Sequence, residues 1–353
     1  MKSALREVPG CGTPEAPKPA KRPRSLSREE YRDGILGGDR TVLARAVTLI
    51  ESAREADRDV AEQIVEDCLP HCADSIRVGI TGVPGAGKSS LIEALGGFLI
   101  AEKKEKVAVL AIDPSSRISG GSILGDKTRM PTLAASEMAF IRPSPSRGMA
   151  GGVAQRTREA MLLCEAAGYR NILVETIGVG QSETAVHEMA DFFLLITLAG
   201  AGDELQGIKR GVMELADLVA VNKADGTNVD AAERARAEAQ NALHFFPASG
   251  SGWTPRAVTC SALTGVGISE LGALVLEYTE LTRSNGWLAA SRREQQRRWM
   301  QEMIDQALRQ RFDAHPAVRG QIAALERDVA EGRTTPFRAA RTLFQAYSEP
   351  GRS

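Results

Sequence analysis

Paired cysteines, long apolar runs and a surplus of one charge are all missing from this chain of 353 residues. The five cysteines (Cys11, Cys68, Cys72, Cys164 and Cys260) are odd in number and scattered, without CxxC or Cys/His ligand spacing. That argues against a disulfide framework or a structural zinc and for a reducing compartment, with the cytoplasm as the expected location. No stretch reaches the roughly 18 consecutive apolar residues of a spanning helix, so no membrane segment is expected. Lys plus Arg number 44 against 45 Asp plus Glu, which leaves no global field to attract nucleic acid or an anionic membrane. Histidine is scarce as well. His71, His187, His244 and His315 show no ligand spacing, and Cys68, His71 and Cys72 read as a helix end rather than a metal site.

What is present divides into four stretches. Residues 1–27 are rich in Pro, Lys and Arg and have no apolar core, which excludes a secretory signal; the prolines, with Glu7 and Glu15, also disfavour a transit peptide. A disordered basic tail is expected there. Residues 28–75 are expected to be helical, since Tyr31, Ile35, Leu43, Val47 and Ile50, then Val60, Ile64 and Leu69, recur at helical spacing. Asp39 is a candidate N-cap, and Pro70 ends the run. Across 76–283, short apolar runs (76–80, 107–112, 138–141, 171–174, 192–198, 218–221 and 257–260) alternate with helical stretches such as 89–101 and 152–167. Strands buried on both faces and separated by helices describe a doubly wound, mostly parallel α/β domain. Over 284–348 the strands stop, and three apolar stripes, around Trp299 to Leu308, Val318 to Val329 and Phe337 to Tyr347, predict three helices. They are read as a dimerisation arm, the alternative being that they pack back on their own domain.

The chemistry starts at Gly82-Val83-Pro84-Gly85-Ala86-Gly87-Lys88-Ser89, which follows a predicted strand and opens a helix through Ser90. Glycines there let backbone N–H groups curl around phosphates, and a side chain at Gly87 would obstruct that approach. Lys88 is expected to reach the β- and γ-phosphates and Ser89 to ligate Mg²⁺. The base is selected further along, where strand 218–221 ends in Asn222-Lys223-Ala224-Asp225. A carboxylate at Asp225 can accept from guanine N1–H and the N2 amino group together, a donor pair adenine lacks, so GTP is favoured over ATP. Ser261-Ala262, just after the run 257–260, resembles a second guanine-contacting loop, the alternative being an ordinary strand end. In Ile172-Leu173-Val174-Glu175-Thr176-Ile177-Gly178 an apolar strand delivers Glu175 to the metal edge and Gly178 to the γ-phosphate. Glu175 stands where most GTPases carry Asp, and its extra length suits contact through a metal-bound water. No Gln follows Gly178 directly, the nearest being Gln181, so slow intrinsic hydrolysis accelerated by a partner is expected. Asp113 closes a strand where ligands bind and is a candidate metal-facing residue. Asp126, in a Gly-rich segment, is either metal-facing or a helix N-cap.

Longer strings go further. Asp113-Pro114-Ser115-Ser116, the run from Gly120 to Met130 (Gly-Gly-Ser-Ile-Leu-Gly-Asp-Lys-Thr-Arg-Met), Arg142-Pro143-Ser144-Pro145-Ser146, the run from Glu175 to Glu183 and Gly200-Ala201-Gly202-Asp203-Glu204-Leu205-Gln206-Gly207-Ile208-Lys209-Arg210-Gly211 together closely resemble the MeaB/ArgK-type GTPases, over roughly residues 30–345. The resemblance implies a SIMIBI-type G domain, a homodimer built through the C-terminal helices, and a client that is an adenosylcobalamin-dependent acyl-CoA mutase, with methylmalonyl-CoA mutase first and a cobalamin adenosyltransferase as a further partner. GTP hydrolysis would gate cofactor delivery and protect the mutase. By motif it places Ser89, Asp113, Asp126 and Glu175 around Mg²⁺, makes 178–183 the second switch, and makes Asp203, Gln206 and Lys209 an additional switch that relays the partner's presence. Sequence physics alone would read 200–211 as a glycine-rich loop capping a helix. Two rival readings are a lysine/arginine transport ATPase or kinase, opposed by the Asn-Lys-x-Asp loop, and a nickel-delivery GTPase, opposed by the lack of His/Cys ligand spacing.

Overall fold

The structure is a computed structural model and describes residues 24, 26–52, 54–72, 74–113, 129–145, 150–176, 182–200, 210–247 and 249–348. It opens with three short helices, α1 (Arg28–Leu36), α2 (Arg40–Ile50) and α3 (Glu55–Cys68). Local chemistry sets the starts of the first two. Ser27 and Glu30 form a reciprocal capping box on α1, and the Asp39 carboxylate accepts from the Thr41 and Val42 amides at 2.7 and 3.1 Å.

The central sheet comprises β1 (Ile76–Gly82), β2 (Val107–Asp113), β3 (Ala139–Pro145), β4 (Asn171–Thr176), β5 (Phe192–Leu198), β6 (Leu218–Asn222) and β7 (Arg256–Thr259). Interleaved with them are α4 (Lys88–Lys103), α5 (Pro131–Ala135), α6 (Ala150–Ala166), α7 (Ser182–His187), α8 (Arg210–Glu214), α9 (Val229–Leu243) and α10 (Ile268–Ser284). The strand order is β3-β2-β4-β1-β5-β6-β7 and every pairing is parallel. The expected doubly wound α/β fold is therefore present, with an entirely parallel sheet. β3 runs on past Ile141 through Pro143 and Pro145, which sequence periodicity had ended. As the outermost strand it needs no ladder donors on its open side.

One face of the sheet packs on α4 and α10 through Leu91, Leu95, Leu194 and Leu271; the other packs on α6 and on the N-terminal helices through Leu110, Ile172, Ile35 and Val47. The N-terminal helices thus share a core with the sheet. β1 sits where the chain changes direction, with β2 to β4 on one side and β5 to β7 on the other, and the carboxyl end of such a strand is where ligands bind in open parallel sheets.

After α10 the chain continues as α11 (Trp287–Ala314), α12 (Pro316–Arg319), α13 (Ile322–Ala330) and α14 (Pro336–Ser348). Four helices replace the three read from the stripes, because the second stripe is broken at Gly320: Val318 falls in the single turn after Pro316, and Ile322 to Val329 fall in the next helix. At 28 residues α11 is about 42 Å long. Its first third is anchored to the amino edge of the sheet. Arg292 makes a two-pronged contact with Asp191, at 2.9 and 2.6 Å, and donates to the Ser75 carbonyl at 2.9 Å, while Gln295 donates to the Ala190 carbonyl at 2.8 Å. Glu165, buried beside them, pairs with Arg77 through two 2.9 Å bonds. Further out, Met300, Ile304, Leu308, Phe337 and Phe344 are exposed. Among the described residues no helix is long and apolar enough to cross a membrane.

Candidate nucleotide site

β1 is buried along nearly its whole length and delivers Gly82 to the carboxyl edge. Gly82 has φ +155°, and a Cβ there would stand 2.2 Å from the Ile196 carbonyl of β5, so only glycine lets the chain leave the sheet at this point. Gly87 lies in the left-handed region at φ +86°, and its Cβ would meet the Asn222 side-chain nitrogen at 2.7 Å. The sequence reading reserved Gly87 for the approach of phosphate; the structure adds that it also makes room for Asn222. Gly87 caps α4 without any side-chain hydrogen bond, so the first amides of the helix, at Lys88, Ser89 and Ser90, are left to the loop's interior rather than to a capping hydroxyl or carboxylate.

Lys88 is buried and donates to the Gly82 carbonyl at 2.8 Å and to Val83 at 3.3 Å, which curls its ammonium over the loop. Burial pulls its pKa down, while the nearby carboxylates of Glu175 and Glu183 hold it up. Ser89, one residue on, donates its hydroxyl proton to Glu175, with Oγ at 3.2 Å from Oε1 and 3.5 Å from Oε2. A hydroxyl that gives its proton to a carboxylate keeps its lone pairs for a hard cation, and the pair forms the oxygen donor set that suits Mg²⁺. Glu175 is held at this edge by β4, which pairs with both β1 and β2. The next residue locks the strand end: the Thr176 hydroxyl meets that of Thr81 at 2.9 Å inside the core.

The guanine-side residues converge as well. Asn222, at the end of β6, donates to the Ala86 carbonyl at 2.8 Å and accepts from the Ala262 amide at 3.1 Å, with the Cys260 thiol 3.7 Å from the same oxygen. Its amide is therefore a brace that ties the phosphate loop to the second guanine loop. Lys223 adopts φ +60°, a left-handed conformation fixed by Asn228, which donates to its carbonyl at 2.8 Å. This turn carries Asp225 to the buried hydroxyl of Ser261, which donates to it and accepts from the Thr264 amide at 3.1 Å. Burial pushes the Cys260 thiol up to about 12, which makes it an inert packing group.

Sequence reasoning placed Lys88, Ser89, Glu175, Asn222, Lys223, Asp225, Ser261 and Ala262 together, and the strand ends bring all of them to one edge. It did not find Thr81, Cys260 or the bracing use of Asn222, because these are contacts between residues far apart in sequence. Asp113 ends β2 two strands from β1 and is described by its backbone alone. Asp126, Gly178, Gln181, Asp203, Gln206 and Lys209 lie outside the described residues. Among the described residues no group of three His, Cys, Asp or Glu is arranged to hold a metal.

A glycine loop leading from a central parallel strand into a helix, a serine–carboxylate pair beside it and an Asn-Lys-x-Asp turn braced to the same loop define the class: a P-loop GTPase. The profile of the family described as "Methylmalonyl Co-A mutase-associated GTPase MeaB" matches residues 43–317. GTPase ArgK of Escherichia coli is 48% identical over 269 residues, covering 76% of this chain and 81% of that protein. The mouse protein named "Methylmalonic aciduria type A homolog, mitochondrial" is 43% identical over 324 residues, covering 89% of this chain and 78% of its own. The crystal structure named "LAO/AO transport system kinase" superposes with a TM-score of 0.74 at 36% identity, covering 92% of this chain and all of that one. The chain belongs to the MeaB family of GTPases.

Proposed function

We propose that this GTPase is a chaperone of an adenosylcobalamin-dependent acyl-CoA mutase, with methylmalonyl-CoA mutase the first client to test. The observation that carries the client is the family match over residues 43–317, whose description names that mutase; the mouse relative named for methylmalonic aciduria supports it. In this reading the chain works as a homodimer through α11 to α14, in the cytoplasm, with GTP hydrolysis gating cofactor delivery and protecting the mutase. A cobalamin adenosyltransferase would be a further partner.

The site residues then take the following roles. Gly82, Gly85, Ala86 and Gly87 shape the loop, and the amides of Lys88, Ser89 and Ser90 face the phosphate oxygens. Lys88 trades its present carbonyl partners for the β- and γ-phosphates. Ser89 and Glu175, with Asp113 and Asp126, would hold Mg²⁺, which when bound neutralises charge on the β- and γ-phosphate oxygens. The Ser89 proton, directed at Glu175, orients the serine lone pairs toward that ion. Gly178 meets the γ-phosphate. Asp225 and the Ala262 amide read guanine, while Asn222 keeps their loop in register with the phosphates and Lys223 covers the base. Gln181, Asp203, Gln206 and Lys209 pass the client's presence to the nucleotide.

The test is GTP turnover by the purified full chain with and without methylmalonyl-CoA mutase. Slow basal turnover that rises several-fold with the mutase, and a complex whose stability depends on the nucleotide, are expected. An unchanged rate with no complex would remove the client and leave the GTPase intact. The name of the transport-kinase relative supports a second reading, in which a transport component would be phosphorylated; labelled phosphate on such a component, rather than free phosphate, would favour it.

A further inference from the structure

α11 meets the GTPase core at two stations. At the first, Arg292 and Gln295 close on Asp191, Ser75 and Ala190, and the buried carboxylate of Asp191 has its guanidinium. About two turns further along, at the second, Trp299 and Glu302 close on Arg158 of α6. Arg158 donates to Glu302 Oε2 at 2.5 Å, and its guanidinium carbon lies 5.8 Å from the centre of the Trp299 ring. Its other terminal nitrogen is 4.0 Å from Glu188 Oε2. Arg158 itself is only 6% exposed, so its charge cannot be left without a carboxylate.

The two carboxylates belong to different elements. Glu188 directly follows α7 and continues its last turn, since its amide donates to the Thr184 carbonyl at 2.9 Å. α7 rests on β1, where a Cβ on Gly79 would come within 2.8 Å of Val186, and it is the first helix after β4, the strand that carries Glu175. Glu302 travels with α11 and hence with the exposed apolar end of the arm. One buried guanidinium is thus shared between the element beside the γ-phosphate edge and the arm.

The second station is also the looser one. Among the described residues Trp299 Nε1 is buried without a partner, and Trp299 lines a cavity of about 20 Å³ together with Arg77, Arg158 and Glu188, at the boundary with Gln295 of the first station. That volume accommodates a single water with polar neighbours on several sides. A joint with two carboxylates for one guanidinium and room for a water repacks at low cost, whereas the Arg292 clamp cannot open without stranding Asp191.

We propose that Arg158 couples the nucleotide site to the C-terminal arm by changing its share of Glu188 and Glu302. This rests on the GTPase reading of the site and adds the internal route by which the bound nucleotide reaches the arm. When α7 moves with the γ-phosphate, Arg158 shifts toward Glu188, its hold on Glu302 weakens, and α11 pivots about Arg292. The tip at Ala314 lies 22 residues beyond that pivot, about 33 Å away, so a tilt of about 10° displaces it by about 6 Å. The coupling is reciprocal: whatever biases the joint also biases the choice between GTP and GDP.

The test uses the full chain, with Kd values for GDP and for a non-hydrolysable GTP analogue measured in the wild type, Glu302→Gln and Glu188→Gln. Trp299 emission, taken as the difference from Trp299→Phe, reports the joint directly. Trp299 emission is expected to distinguish the two nucleotides in the wild type. Glu302→Gln shifts the analogue-to-GDP affinity ratio about fivefold in one direction and Glu188→Gln shifts it in the other, since the two carboxylates compete. A merely structural contact would move both variants the same way or neither. Same-sign shifts, or a ratio and emission unchanged in both variants, overturn the joint and leave the nucleotide site standing. Failure of the wild type to bind either nucleotide overturns both.

Discussion

The two edges of the sheet are held by opposite means. At the carboxyl edge the loops are tied by backbone geometry, by the neutral amides of Asn222 and Asn228 and by the Ser261 hydroxyl on Asp225, and the ionic groups Lys88 and Glu175 sit in contacts that a phosphate and a cation can take over. At the amino edge the ties run through acidic side chains. The same device occurs there twice: Asp191, just before β5, accepts from the Arg77 amide of β1 at 2.8 Å, and Asp217, just before β6, accepts from the Phe193 amide of β5 at 2.8 Å. Asp191 is further matched by Arg292. Burial pushes the Asp217 carboxyl up to about 7, and the Phe193 amide only partly offsets that. Charge is fixed where the arm is anchored and exchangeable where the ligand binds.

The comparison breaks most sharply at Arg292. Arg292→Met leaves the Asp191 carboxylate buried without its cation, and unfolding in denaturant is expected to show a loss of about 4 kcal/mol. A loss below about 1 kcal/mol would mean that the amino edge is not held by charge. Next in size, Lys88→Ala should lower GTP turnover more than a hundredfold, about 3 kcal/mol of transition-state stabilisation, with the denaturant midpoint nearly unmoved. A large drop in that midpoint would show the carboxyl edge to be structural after all. The smallest effect, taken per pH unit, sharpens the contrast within the amino edge. Asp217 has a folded pKa above its unfolded value of 3.8, so the folded state holds the extra proton between about pH 4 and 7 and loses its advantage as pH rises through that window. Stability should fall there by about 1.4 kcal/mol per pH unit on account of this group, and Asp217→Asn should flatten that part of the profile. An unaltered slope would place the proton elsewhere.

Much of the nucleotide edge was legible because its residues are contiguous. The strand β1, the glycine loop and the start of α4 are one uninterrupted string, and the Asn-Lys-x-Asp turn is four residues at a strand end. The strand runs were legible because strands buried on both faces are nearly all apolar. What escaped was whatever depends on pairing across the chain: Arg158 with Glu302 is separated by 144 positions and Arg292 with Asp191 by 101, and in sequence each reads as an ordinary surface charge. α11 was under-read for a related reason. Its first turns carry polar residues such as Arg292 and Gln295 toward the core, so the apolar stripe begins only at Trp299 although the helix starts at Trp287.

The outer rims of the sheet bear on how the protein meets other molecules. β3 carries Pro143 and Pro145, which have no N–H to offer to a passing strand, and β7 is only four residues long. Neither rim can template strand addition over any useful length, so growth of the sheet across molecules, ordered or aggregating, is blocked at both ends. Any contact with another protein is left to helices and loops.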